Sequence, residues 1–81
     1  MLLDKILDAH EDDDFLKADG FDRAVIGLDY RSMRLVYSVK KCLDILVKDG
    51  MSKEDAAEHF SYNVSGSFAG DKTPIWCDDN Y

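Results

Sequence analysis

The residues whose types suit chemistry are few. Two histidines and two cysteines, His10, His59, Cys42 and Cys77, include the donor types of a Cys2His2 zinc site. Neither pair has the two-to-five-residue spacing that presents two ligands from one turn, so the four are expected to be unrelated in space and the thiols free and buried. Asp12, Asp13, Asp14 and Asp19-Gly20 suggest a calcium loop. No register of that stretch places acids or amides at loop positions 1, 3 and 5 with glycine at 6, so it reads as a solvated acidic loop. Ser65-Gly66-Ser67 lacks the G-x-S-x-G context and the positioned base that would make a serine nucleophilic. Asn63-Val64-Ser65 matches the glycosylation sequon by chance. No catalytic constellation, metal cluster or phosphate loop stands out, and the expectation is a chain without cofactor, metal or enzymatic activity.

Charge is the more informative property. The net charge is −7, and residues 1–22 hold eight acids against two lysines, while residues 23–81 hold nine acids against eight bases. An acidic chain with no basic stripe repels a phosphate backbone, which argues against direct nucleic-acid binding and for a partner protein with a basic surface. Asp8, Asp12, Asp13 and Asp14 are the candidate contacts. Trp76, the single tryptophan, is expected to lie half-buried against a helix and is where an interface anchor would fall.

These side chains must be positioned by a small scaffold. At 81 residues with 46% hydrophobic content, the chain suits one domain: an acidic helix and loop over 1–22, a core over 23–77 and a loose tail over 78–81. Apolar runs are short and the start lacks the basic, apolar and small-residue sequence of a leader. The expectation is a cytoplasmic protein without membrane contact.

Leu3, Ile6, Leu7 and His10 recur at helical spacing, predicting an amphipathic helix too short to stand alone; its stripe must dock on the rest of the domain or on a second copy. Residues 11–14 follow as a loop. Ala24, Ile26 and Leu28 alternate with Val25 and Gly27, and Arg34–Tyr37 form a second such run, predicting an antiparallel hairpin. Ser38 suits the N-cap of a helix over 39–49, with Val39, Cys42, Leu43, Ile45 and Leu46 inward, and Gly50 ends it. Ser52 and Asp55 form a capping box, with Met51 placed to staple against Ala56. The helix that follows carries Ala56, Phe60, Val64 and Phe68 on one stripe and runs to about Ala69, with Gly66 marking either a close backbone approach or a fray. Pro74-Ile75-Trp76-Cys77 is a last strand. The order α-β-β-α-α-β predicts an α+β fold with a three-stranded antiparallel sheet covered on one face by helices.

One resemblance attaches to these residues. Asp49-Gly50-Met51-Ser52, Glu54-Asp55-Ala56, Glu58, Phe60, Tyr62-Asn63, Gly66, Gly70 and Thr73-Pro74-Ile75, after a hairpin and a helix, resemble a family of small uncharacterised proteins of tailed bacteriophages. It covers residues 24–77 and implies no activity. His59 stands where an aromatic is expected, and the acidic extension lies outside the pattern. Resemblance, size, the absent catalytic set and the acidic segment 4–22 together lead to the expectation of a small phage accessory protein acting by protein binding, with an acidic inhibitor of a host nucleic-acid-handling or defence enzyme as one form of it. A self-associating scaffold module, a homodimer, and a small-molecule-binding regulator are the alternatives.

Overall fold

The computed structural model describes residues 1–66 and 70–81. Along the chain lie α1 (Leu2–Ala9), a 3-10 turn (Asp22–Ala24), β1 (Val25–Asp29), β2 (Arg34–Ser38), α2 (Val39–Lys48), α3 (Lys53–His59), a π-helical turn (Phe60–Ser65) and β3 (Ile75–Cys77). The fold is α+β. Its order differs from the expected one by two helical pieces, the 3-10 turn before the hairpin and the π turn after α3. The expected helix end at Ala69, with Ser67 and Phe68, lies outside the described residues.

The three strands form one sheet in the order β1-β2-β3. β1 and β2 pair antiparallel as a hairpin, but β3 runs parallel to β2, with Val36 beside Ile75 and Ser38 beside Cys77. The sheet is therefore mixed, which corrects the antiparallel expectation. Parallel neighbours need a long crossover, and residues 39–74, carrying both helices, supply it. Element order alone leaves the direction of β3 open.

β1 also departs from strict alternation. Val25 pairs with Tyr37 and Gly27 with Val36, so Ile26 is the extra residue of a β-bulge. The single face expected for Ala24, Ile26 and Leu28 is broken there: Ala24 and Val25 are both buried and Ile26 is 38% exposed. One inserted residue exchanges the faces, because side-chain direction has period two.

The core gathers Leu3 and Ile6 of α1, Phe21, Ala24, Val25, Leu35 and Tyr37 of the sheet region, Cys42 and Leu46 of α2, Ala56, and Phe60. Burial of Leu3 and Ile6, at roughly 1.5–3 kcal/mol per side chain, offsets the marginal stability of an eight-residue helix. The α1 stripe is thus covered by its own chain.

The α2–α3 junction is set locally. The Gly50 amide bonds to the Val47 carbonyl at 3.0 Å and that of Met51 to Leu46 at 3.2 Å, a Schellman closure with Gly50 at φ +113°. The Ser52 hydroxyl then accepts from the Asp55 amide at 3.1 Å. Ser38 caps α2 likewise, accepting from the Lys41 amide at 3.0 Å.

That cap is itself clamped by the C-terminal segment. Asp79 accepts from the Ser38 hydroxyl and, at 2.9 Å, from the Lys40 amide, so the tail expected to be loose is fixed at one point. A carboxylate finds orphan amides and a favourable dipole at a helix start. These hydrogen bonds, that of Ser38 first, hold the Asp79 carboxyl below its ordinary value. Such a group adds stability above the unfolded carboxylate range, and the gain is lost as pH falls through the folded pKa. Asp79→Asn is therefore expected to lower the urea midpoint at neutral pH, with the gap to wild type closing below about pH 4; a gap unchanged down to acid pH would contradict the clamp.

The turn between β1 and β2 is tightly organised. The Asp29 carboxylate accepts from the Ser32 amide at 2.9 Å and from its hydroxyl, and the Met33 amide bonds to the Asp29 carbonyl at 2.8 Å. Met33 takes φ +56°, a conformation costing a residue with a β-carbon about 1–2 kcal/mol.

After α3 the helix widens, and Gly66 lies against its own preceding turn. A β-carbon at Gly66 would sit 2.9 Å from the Ser61 carbonyl oxygen. Helix propensity alone favours alanine there by about 1 kcal/mol. Gly66→Ala is instead expected to destabilise by about 1–3 kcal/mol, because the clash is with backbone; a raised melting temperature would refute this packing.

Candidate functional site

The acidic segment is a strap anchored at both ends. At its start the Asp13 amide bonds to the His10 carbonyl at 3.1 Å, closing a turn at the end of α1. His10 Nδ1 lies 3.4 Å from an Asp13 carboxylate oxygen, and the imidazole meets Phe15 edge-on at 6.1 Å between ring centroids. Phe15 packs against the core. At its far end the Ala18 amide donates to the Tyr37 hydroxyl at 2.9 Å, and the Phe21 amide bonds to the Ala18 carbonyl at 3.1 Å, which seats the buried Phe21 ring.

Between these anchors Glu11, Asp12, Asp13 and Asp14 are exposed, and Asp8 is exposed on α1. Four successive carboxylates cannot be buried without partners, so the chain holds its apolar neighbours and leaves the acids in water. The strap presents them in one place. Among the candidate contacts read from the sequence, Asp8, Asp12, Asp13 and Asp14 thus share one end of α1 and the turn beyond it.

Trp76 belongs elsewhere. It is half-buried on β3, tilted against Tyr37 at 5.2 Å and edge-on to Phe60 at 5.3 Å between ring centroids. Such pairs hold a core together. A shallow depression of about 210 Å³ adjoins it, lined by Lys17, Ala18, Asp19, Phe21, Asn63, Val64, Pro74 and Trp76, so the strap's inner end borders the tryptophan although Asp8, Asp12, Asp13 and Asp14 do not line it.

The chemistry-bearing residues stay apart. Cys42 is buried and Cys77 half-buried, both as free thiols, and burial pushes the Cys42 thiol up to about 12, where no thiolate forms at neutral pH. Among the described residues, no three histidine, cysteine or acidic side chains come together as a metal site. Asn63 is exposed, with its amide nitrogen 3.3 Å from His59 Nδ1. The sequence missed the Tyr37 hydroxyl as the strap's tether; a tyrosine following Leu35 and Val36 in a core strand, whose hydroxyl must find a partner when buried, was the available signal. Among the described residues no helix is long and apolar enough to cross a membrane.

No family model matches the chain, and no curated protein and no solved structure matches it.

Tyr37→Phe keeps the ring and removes the acceptor of the Ala18 amide. A stability loss of about 1–3 kcal/mol is expected, with faster hydrogen exchange at Ala18. Unchanged exchange at that amide would show that the tether does not hold the strap.

Proposed function

We propose that this chain is a small non-enzymatic accessory protein, of the kind carried by tailed bacteriophages, that works in the host cytoplasm by binding a protein with a basic surface. The observation that carries this reading is the strap: Glu11 to Asp14 exposed in succession between two anchored ends, in a chain of net charge −7. A carboxylate row held in place loses little conformational freedom on binding, and its field steers a basic partner toward it. The target class that fits is a nucleic-acid-handling or defence enzyme, whose phosphate-binding surface would receive Asp8, Asp12, Asp13 and Asp14 in place of phosphates.

The self-associating alternative drew on an uncovered α1 stripe and on a free sheet edge. With Leu3 and Ile6 buried against the rest of the chain, only the edge supports it.

The test is retention of a host protein on the immobilised chain from bacterial lysate. A nucleic-acid enzyme is expected to bind, to elute as salt rises and to be lost when Asp12, Asp13 and Asp14 are changed together to Asn. Retention indifferent to both salt and the triple change would remove the phosphate-like reading, and a concentration-dependent dimer in light scattering would favour the alternative.

A further inference from the structure

The hairpin tip is built more firmly than closing two strands requires. The Ser32 amide and hydroxyl engage the Asp29 carboxylate, the Met33 amide closes on the Asp29 carbonyl, and Met33 accepts the left-handed conformation that a glycine would take freely. Arg34 fixes the base, its Nε donating to the Thr73 carbonyl at 2.6 Å.

What this frame holds up serves no packing purpose. Tyr30 is 91% exposed and Arg31 is exposed beside it. Residues 30–34 read Tyr-Arg-Ser-Met-Arg and contain two of the chain's three arginines, with no lysine or glutamate. Tyrosine, methionine and arginine are the types enriched where proteins bury surface against each other, and lysine and glutamate are depleted there. The Asp29 carboxylate is engaged by the Ser32 amide and hydroxyl, and with Arg31 and Arg34 beside it the tip still carries a net positive charge, presenting the Tyr30 ring and the Arg31 guanidinium.

We propose that residues 30–34 form a pre-organised protein-binding loop, and that its partner presents an acidic cleft that takes the Tyr30 ring and pairs with Arg31. Its sign is opposite to that of the strap. The two surfaces therefore call for different contacts, and this loop stands whether or not the strap reading holds.

Two measurements test it. Backbone ¹⁵N relaxation is expected to give Tyr30–Met33 order parameters close to the strands' ~0.85; values below ~0.6 would overturn the pre-organisation. A photo-reactive benzoylphenylalanine replacing Tyr30, with the same probe at Tyr62, itself 78% exposed, as control, is then irradiated in bacterial cells producing the chain. A discrete adduct from position 30 alone, mapping to a partner peptide rich in Asp and Glu, is expected to drop at least tenfold on Arg31→Glu and to survive Asp12, Asp13 and Asp14 changed to Asn. No adduct, an equal adduct from position 62, an adduct of twice the chain's own mass, a basic target peptide, or loss with the strap variant would each overturn it.

Discussion

Tyr37 is the residue on which the other parts converge. It lies on the central strand with no exposed surface, its ring touches Trp76 on the neighbouring strand, and its hydroxyl holds the Ala18 amide. Burial raises the phenol above its ordinary value, which keeps it neutral across the physiological range. A buried phenol needs a polar partner and a backbone amide leaving an extended segment needs an acceptor; each satisfies the other. A phenylalanine would fill the same volume and leave the Ala18 amide without this acceptor.

This arrangement separates two tasks within a small chain. Aromatic and aliphatic groups from α1, the sheet and the helices make one core, while the acids and the hairpin tip stand outside it. Because the acids contribute nothing to packing, their row is free to be set by what it contacts. The same holds for Tyr30 and Arg31 at the opposite extreme of charge.

What could be read from the residues follows from how local each cause is. The Gly50 closure, the Ser38 and Ser52 caps and the hairpin rest on neighbours within a few positions, where glycine, serine and alternation carry physical meaning. The bulge at Ile26 is invisible because alternation continues on either side of it, and the π turn has no signal beyond Gly66. The strap tether joins residues 19 apart and the Asp79 clamp residues 41 apart, and pairings across such separations have no local signature. The candidate acids were legible as charge, their presentation as a tethered row was not, and the hairpin tip's order shows only once Ser32 is seen to close on Asp29.

The parallel seating of β3 has a consequence for how the molecule comes into being. Its partner strand is made well before it, and the joining of Tyr37 to Trp76 waits until β3 itself has been made. Until then the aromatic cluster lacks its indole, and the start of α2 lacks its carboxylate. The single tryptophan is thus a natural optical marker of that closing event, reporting the moment when β3 seats beside β2.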